Sequence, residues 1–293
     1  MKVLVTGAHG QLGQDLLSVM NGRYQCLGLS RRQLDICDTK QVRTIVSRFQ
    51  PDVVIHSAAY TAVDKAERDV EEAFRVNVLG TRNVAAAVRE VGAKFCYIST
   101  DYVFDGTAAK PYQEHDRPRP LNVYGESKLA GEVLAAAMVE NHFIVRTSWL
   151  YGASGPNFVT TMLRLAKQQE EISVVGDQIG SPTYTQDLAR TLAEIVRTDA
   201  YGIYHAANGG ACSWYQFAQA IFHDAGTDVK LRPCTTAEFP RPARRPRNSV
   251  LGGSALVDHG FSLLRPWRAA LQDYLSGLDC RQSDADRSTN RWP

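Results

Sequence analysis

The sequence predicts an α/β fold in which a doubly wound parallel sheet is followed by a smaller α/β lobe. Short apolar runs alternate with helical patterns as far as residue 148, and a glycine-rich turn joins the first run to the first helical pattern. After residue 149, glycine and proline interrupt the chain repeatedly. Strand–helix–strand units give a parallel sheet with helices on both faces, because right-handed crossovers return the chain to the same end of the sheet.

Five apolar runs predict the strands of this sheet, at residues 2–6, 25–29, 53–56, 94–99 and 143–147. Between them, apolar residues recur at three- and four-residue spacing, which is typical of amphipathic helices. Those helices are predicted near residues 11–21, 39–48, 69–91 and 126–139.

The same patterns predict how the chain divides. The first domain is predicted at residues 1–148, with a later contribution from about 183–204. The second lobe is predicted at residues 149–182 and 205–278. Residues 279–293 are polar and mostly aperiodic, which is typical of a disordered tail.

The composition argues against some partners and some kinds of site. The 33 basic and 31 acidic residues nearly balance, so neither a nucleic acid nor a membrane surface is expected as a partner. The chain enters a strand directly at Lys2 without the apolar core of a signal peptide, and the cytoplasm is the expected location. The six cysteines are scattered, which argues against both a disulfide framework and a metal site.

A glycine-rich turn, Thr6-Gly7-Ala8-His9-Gly10-Gln11-Leu12-Gly13, follows the first strand and opens the first helix. Gly7 permits a tight turn, Gly10 lets the backbone approach a pyrophosphate, and Gly13 lets the helix pack closely on the sheet. The helix N-terminus offers free N–H groups to the phosphates. The first domain is therefore predicted to be a Rossmann dinucleotide-binding domain, and the predicted contacts of this turn are Gly7, His9, Gly10, Gln11, Leu12 and Gly13.

The end of the second strand predicts which dinucleotide binds. An acidic residue there would bind the ribose 2′-hydroxyl, but the chain has Ser30-Arg31-Arg32. Guanidinium groups suit a 2′-phosphate, so NADPH is favoured over NADH. The alternative is that the arginines lie in solvent and that the protein uses both cofactors. Further cofactor contacts are predicted at Ser30, Arg31, Asp35, Ile36, Ala58, Ala59 and Tyr60.

Tyr124 and Lys128 are the residues most indicative of chemistry. On a helix this spacing places both side chains on one face, one turn apart. A lysine charge near the phenol would lower its pKa from about 10, in the direction that suits general acid–base catalysis. Spacing alone is equally compatible with a surface pair. The upstream glycine turn and Thr100, a hydroxyl at the end of the fourth strand, favour catalysis.

Taken together, these motifs resemble the dTDP-4-dehydrorhamnose reductase family of extended short-chain dehydrogenases. The similarity covers roughly residues 1–278. Its markers lie at residues 58–67, 99–104, 121–132, 146–149, 157–158, 180–183 and 243–249.

The resemblance implies a role for each matching residue. Thr100, Tyr124 and Lys128 are expected to form a catalytic triad that assists hydride transfer from NAD(P)H to the C4 ketone of dTDP-4-dehydro-β-L-rhamnose. Tyr124 would protonate the alkoxide, Thr100 would polarise the carbonyl, and Lys128 would hold the nicotinamide ribose. Expected substrate contacts are Asp101, Tyr102, Val103, Trp149, Asn157 and Arg244. Without the resemblance, a solvated loop is the favoured interpretation of Arg244, and Asn157 is equally a helix cap.

The resemblance also raises the question of a metal-bridged dimer. Some family members dimerise around a magnesium ion held by glutamates. The positions that correspond here are Asp15, Gln186 and Gly277, and the last two carry no carboxylate. A hard cation would lack its preferred oxygen ligands, so no metal is expected and the protein is predicted to be a monomer or a dimer formed in another way.

Two other functions stay open at this point. A sugar-nucleotide epimerase or epimerase–reductase would use the same scaffold but would return the hydride to its substrate. A non-catalytic cofactor-binding protein is also possible, because a regulatory subunit of methionine adenosyltransferase in animals is similar to these reductases. An intact set of Thr100, Tyr124 and Lys128 does not by itself exclude that role.

Overall fold

The structure is a computed structural model and describes residues 1–289. Its centre is a six-stranded parallel sheet with the strand order β2-β1-β3-β4-β5-β10. The strands are β1 (Lys2–Thr6), β2 (Gln25–Leu29), β3 (Val53–His56), β4 (Lys94–Thr100), β5 (His142–Thr147), β6 (Leu150–Tyr151), β7 (Glu171–Val175), β8 (Ile179–Gly180), β9 (Thr183–Tyr184), β10 (Gly202–His205), β11 (Cys212–Ser213) and β12 (Lys230–Cys234).

Helices cover both faces of this sheet. They are α1 (Gln11–Met20), α2 (Thr39–Phe49), α3 (Val63–Ala66), α4 (Val70–Phe74), α5 (Thr81–Val91), α6 (Val123–Met138), α7 (Phe158–Ala166), α8 (Thr185–Ile195), α9 (Trp214–Asp224), α10 (Ser254–Asp258) and α11 (Trp267–Thr289). The predicted α/β fold with a doubly wound parallel sheet is confirmed, and all five predicted strands are present.

The apolar strands are buried on both faces. Val3 and Val5 of β1 lie in one hydrophobic cluster with α1 and α8, whereas Leu4 between them lies in a second cluster with α2 and α5. Successive side chains of a strand point to opposite faces, so a strand covered on both sides is apolar throughout. This packing brings the carboxyl ends of the parallel strands to one edge of the sheet.

The helix predicted at residues 69–91 is interrupted, and this part of the prediction is corrected. A π-helical segment, Arg75–Gly80, lies between α4 and α5. Such a segment adds a residue to the helical turn and turns a side chain inward that a regular helix would place elsewhere. Here Asn77, in the middle of the segment, is buried.

Helix α6 begins earlier than the sequence pattern predicts, at Val123 rather than near residue 126. The side chain of Asn122 accepts a hydrogen bond from the backbone N–H of Gly125 at 2.8 Å. This cap supplies a partner for one of the free N–H groups of the first turn. Tyr124 therefore lies inside the first turn of the helix, with Lys128 one turn below it.

The second lobe consists of short strand pairs and aromatic packing. Its sheets are two-stranded, with β6 beside β9, β7 beside β12 and β8 beside β11. Tyr151, Phe217 and Tyr274 are completely buried in its core. Because strands this short bury little by themselves, helices α7, α9 and α11 supply most of the apolar surface.

Helix α11 continues to Thr289, into the segment for which the sequence predicts a disordered tail. Residues 290–293, the end of that segment, lie outside the described residues, and the tail stays a prediction. No helix within residues 1–289 is both long enough and apolar enough to cross a membrane.

Candidate active site

A cleft of about 740 Å³ opens at the carboxyl ends of the sheet strands. It brings together most of the residues that the sequence predicts for the site. Those that line it are Gly7, His9, Gly10, Gln11, Leu12, Gly13, Arg31, Asp35, Ile36, Ala58, Ala59, Tyr60, Thr100, Asp101, Tyr124, Lys128 and Trp149. The predicted residues that do not line it are Ser30, Tyr102, Val103, Asn157 and Arg244.

The glycine turn packs so tightly that its glycines are required. Gly7 has a φ of +69°, and a Cβ there would lie 2.7 Å from the backbone nitrogen of Ala58. A Cβ on Gly13 would overlap the carbonyl oxygen of Gly7. Helix α1 begins after Gly10 with no side-chain cap, so its first N–H groups are directed to the cleft. The turn therefore fits a phosphate group.

The residues after β2 differ in their roles. Arg31 lines the cleft with 82% of its side chain exposed, and its guanidinium lies 3.6 Å from Glu72. The Ser30 hydroxyl instead donates to the side-chain oxygen of Gln33 at 2.7 Å, which closes the local turn. Ser30 therefore shapes the backbone that presents Arg31, and its own side chain is occupied.

Thr100 and Tyr124 meet at the bottom of the cleft. The Thr100 hydroxyl donates to the Asp101 carboxylate at 3.2 Å and accepts from the backbone N–H of Tyr102 at 3.2 Å. Burial raises the pKa of Tyr124 to about 12, while hydrogen bonding to Thr100 acts to lower it and the charge of Asp101 acts to raise it. The phenol is therefore protonated at neutral pH.

Lys128, on the same helix face, is buried at the floor of the cleft. Its ammonium donates to the carbonyl oxygen of Ile98 at 2.7 Å and lies 4.1 Å from the ring centre of Tyr97. Burial lowers the pKa of Lys128 to about 7, and Glu132 acts to raise it. The expected lowering of the pKa of Tyr124 by Lys128 is not seen in this structure: burial is the largest influence on the phenol, and Lys128 is not among the groups that shift its pKa.

Trp149 forms one wall of the cleft in a strained conformation. Its φ is +47°, which is unusual for a bulky side chain and persists only where the surroundings hold it. The indole stacks on Trp214 with ring centres 3.5 Å apart and an interplanar angle of 6°. The sequence analysis did not predict Trp214 as a site residue. By stacking on Trp149, it supports this predicted substrate residue.

Several predicted substrate residues have structural partners. Val103 is completely buried with Phe104 and Tyr112, and its carbonyl accepts from the backbone N–H of Arg119 at 2.8 Å, so the structure does not place it in contact with a ligand in the cleft. Asn157 is the cap of α7, and its amide donates to the Gly152 carbonyl at 2.9 Å and to the Tyr274 hydroxyl at 3.2 Å. The capping alternative thus accounts for Asn157, whose amide hydrogens both have partners.

The basic segment near residue 244 presents two different arginines. The side chain of Arg244 is exposed, and its carbonyl accepts from Asn122 at 2.7 Å. Arg245 is turned inward, where its guanidinium pairs with Asp64 and hydrogen bonds to Tyr102. Tyr102 in turn contacts the Tyr124 ring edge-on at 5.9 Å. Arg245 is therefore connected to the catalytic side chains, whereas Arg244 lies at the surface.

The family model described as RmlD substrate binding domain matches residues 1–280. The chain belongs to this family. A dTDP-4-dehydrorhamnose reductase of Aggregatibacter actinomycetemcomitans is 45% identical over 93% of this chain and 97% of the relative. A spore coat polysaccharide biosynthesis protein, SpsK, of Bacillus subtilis is 43% identical over 94% of this chain and 96% of the relative.

A solved structure is equally similar to this RmlD-family chain. It is dTDP-4-dehydrorhamnose reductase from Bacillus anthracis in complex with NADP, at 45% identity and a TM-score of 0.93. The match covers 94% of this chain and 99% of that one. The family predicted from the sequence motifs is thereby confirmed.

Asn77 of this RmlD-family chain does not line the cleft but connects two of its walls. Its amide donates to the Tyr60 carbonyl at 3.1 Å and to the Ser127 hydroxyl at 2.9 Å, and its oxygen accepts from the Tyr60 N–H at 2.8 Å. Ser127 donates to the carbonyl oxygen of Tyr124. Asn77 thus ties the cofactor side of the cleft to the catalytic helix. The available signal was a polar residue inside an apolar helical pattern.

Proposed function

We propose that this protein is an NADPH-dependent oxidoreductase that reduces the C4 ketone of dTDP-4-dehydro-β-L-rhamnose to give dTDP-L-rhamnose. The observation that carries the proposal is that one cleft holds both the glycine turn and the set of Thr100, Tyr124 and Lys128. Membership of the RmlD family and 45% identity to a dTDP-4-dehydrorhamnose reductase support the choice of substrate.

The residues of the cleft fit a dinucleotide. A Cβ at Gly10 would lie 3.2 Å from the Gly7 carbonyl, so the glycines keep open the space that a pyrophosphate needs. Buried hydroxyls of Ser99 and Thr147 line the cleft without a hydrogen-bond partner among the described residues, as expected where a polar ligand binds. When bound, NADPH supplies the hydride, and Arg31 would contact its 2′-phosphate.

The side chains of the triad would supply the proton and orient the ketone. Tyr124 is protonated at neutral pH because burial raises the pKa of its phenol to about 12, so it is prepared to donate to the developing alkoxide. The Thr100 hydroxyl lies beside it and would donate a hydrogen bond to the same oxygen. Lys128 would hold the nicotinamide ribose.

The substrate would lie between the triad and the second lobe. Trp149 would wall the deoxysugar, and Asp101 and Tyr102 would border it beside Tyr124. Arg244, at the surface of the loop that Arg245 anchors, would contact the diphosphate. Val103 would act from the core by packing against Phe104 and Tyr112, and Asn157 would act by fixing the start of α7.

An NADPH-oxidation assay with enzymatically generated dTDP-4-dehydrorhamnose, repeated with NADH, tests the proposal. We expect net NADPH consumption, and Tyr124→Phe should reduce kcat by about 10²–10⁴-fold while NADPH binding is retained. Tyr201→Phe is the matched control, because that hydroxyl donates to Asp199 outside the cleft and should not affect turnover. Isomerisation without NADPH consumption would instead identify an epimerase. If wild type and variant are equally inactive on the sugar nucleotide and the protein binds a partner protein, the result would identify a regulatory subunit.

We further propose that the protein is a monomer or a dimer formed without a bridging metal, and we expect it in the cytoplasm. Asp15, the one carboxylate at the three corresponding positions, accepts a hydrogen bond from Thr185. Gln186 accepts from Arg190 at 3.0 Å, and Gly277 offers no side chain. Gel filtration should therefore give the same elution volume with and without EDTA, and a dimer that EDTA dissociates would refute this proposal.

A further inference from the structure

A buried ion pair lies behind the active site, between helix α6 and strand β5. Glu132 and Arg146 form two hydrogen bonds, Arg146 Nε to Oε1 at 2.9 Å and Nη2 to Oε2 at 2.7 Å. Their side chains are 4% and 2% exposed. Removing two charges from water is costly, so an ion pair this deep is weak evidence for stability and invites a functional explanation.

Glu132 lies on the catalytic face of its helix. It follows Lys128 by four residues and Tyr124 by eight, and residues at this spacing lie above one another on an α-helix. The Lys128 ammonium is itself fixed by the Ile98 carbonyl and the Tyr97 ring. The carboxylate of Glu132 is therefore the next charged group after Lys128 on the same helix face, one turn further along α6.

Glu132 is the group whose charge acts to raise the pKa of Lys128 against the effect of burial. The other titratable groups nearby are His56 of β3, Tyr97 of β4, Tyr124 of α6, Asp101 after β4 and Arg146 of β5. Burial lowers the pKa of His56 to about 3 and raises that of Tyr97, so both are neutral. Asp101 acts on Tyr124 and does not contribute to the charge state of Lys128.

Arg146 holds the Glu132 carboxylate in place. Its guanidinium is held on the far side by the His205 ring nitrogen at 3.3 Å, by the Glu114 carbonyl at 3.4 Å and by the face of Phe104 at 5.1 Å. A planar guanidinium fixed in this way presents two N–H groups to one carboxylate. If the Glu132 side chain turned away from Arg146, the buried guanidinium would lose its counter-ion.

We propose that Glu132, clamped by Arg146, is a positioning residue that keeps Lys128 charged and directed at the floor of the cofactor cleft. This inference rests on the proposed reductase function for its effect on turnover, but not for its effect on NADPH binding. Without Glu132, burial would favour the neutral amine, and Lys128 would lose its attraction for the anionic cofactor.

The test compares Glu132→Gln with Glu126→Gln, an exposed glutamate on the same helix. The dissociation constant of NADPH and kcat/KM are measured from pH 5.5 to 9.5. In wild type, affinity and rate should fall as pH rises through the pKa of Lys128. In Glu132→Gln we expect this fall to move about one pH unit or more to lower pH, with a loss of about tenfold at pH 8. Glu126→Gln should follow wild type.

A second variant separates electrostatics from folding. Glu132→Gln leaves Arg146 buried without its partner and is expected to lower Tm, whereas Glu132→Gln/Arg146→Met replaces the ion pair by neutral groups of similar size. The double variant should regain stability and keep the shifted pH profile. If either folded variant keeps the pH profile of wild type, the proposal is overturned, and the role of the ion pair is structural. If wild type does not oxidise NADPH, the proposed function fails, and the pH dependence of NADPH binding still decides this inference.

Discussion

The cofactor side and the substrate side of the cleft are built in different ways. On the cofactor side, backbone and small residues make the surface, and Gly7, Gly10 and Ala58 leave room for a ligand. On the substrate side, large side chains make it. Trp149 stacks on Trp214, and Arg245 pairs with Asp64, a residue 181 positions away in the chain.

The difference shows how each side obtains its specificity. A pyrophosphate is bound by N–H groups of a helix N-terminus, and any residue with a Cβ would obstruct its approach. A deoxysugar and a nucleotide are recognised by side chains held at defined positions. Those side chains come from segments that are distant in the chain, so these segments must pack together to form the substrate side. Variants on one side should therefore change NADPH binding alone, and variants on the other should change the KM of the sugar nucleotide alone.

The largest effect is expected for Gly10→Ala. The added Cβ would lie 3.2 Å from the Gly7 carbonyl, which must move by a few tenths of an ångström, and it would face the pyrophosphate. NADPH binding, measured by fluorescence titration, should weaken about 100-fold with little change in Tm. Gly176→Ala is the control, since its Cβ would make only ordinary contacts beyond 3.5 Å. Unchanged NADPH binding in Gly10→Ala would mean that the turn does not hold the phosphates.

A smaller effect is expected on the other side, for Trp214→Ala. Loss of the stacked ring removes the support of Trp149 and lets its strained backbone relax. The KM of the sugar nucleotide should rise about 20-fold, while the dissociation constant of NADPH stays the same. Trp214→Phe, which retains a ring, should recover most of the loss. A comparable change in NADPH affinity would break the division between the two sides.

Arg31→Ala sharpens the comparison within the cofactor side. If Arg31 contacts the 2′-phosphate, its removal should raise the KM of NADPH about tenfold and leave the KM of NADH nearly unchanged. Arg32→Ala is the matched control, because Arg32 does not line the cleft. If both variants raise the KM of NADPH equally, the positive charge of this segment selects the cofactor, and a specific contact of Arg31 does not.

The smallest effect concerns Asp101, which lies where the two sides meet. Burial raises the pKa of Asp101 from 3.8 to about 7, so the native protein holds this proton more tightly than the unfolded chain does. The stability that results is complete below pH 4 and is lost as pH rises through 7. Asp101→Asn does not titrate there, so the Tm of the variant minus that of wild type should increase by about 5 °C between pH 5 and pH 8. A difference that is independent of pH would show that Asp101 is already ionised in the native protein.

Sequence patterns predicted the cofactor side nearly completely and the substrate side only in part. Every residue predicted for the glycine turn lines the cleft, because a turn between adjacent elements is determined by local backbone geometry. Trp214 had no local signal, since its partner Trp149 lies in a different segment. Asn157 and Arg244 matched a family motif, but the motif does not specify whether a side chain caps a helix or faces the cleft.

The sequence by itself determined the parallel sheet, the position of the glycine turn and the helix face that carries Tyr124 and Lys128. Each depends on the spacing of apolar residues or on the conformational freedom of glycine within a short stretch of sequence. Only the tertiary structure decided that Lys128 is directed to Ile98, that burial raises the pKa of Tyr124 and that Arg146 clamps Glu132. Desolvation and ion pairing depend on which distant segments pack together, and no local pattern encodes them.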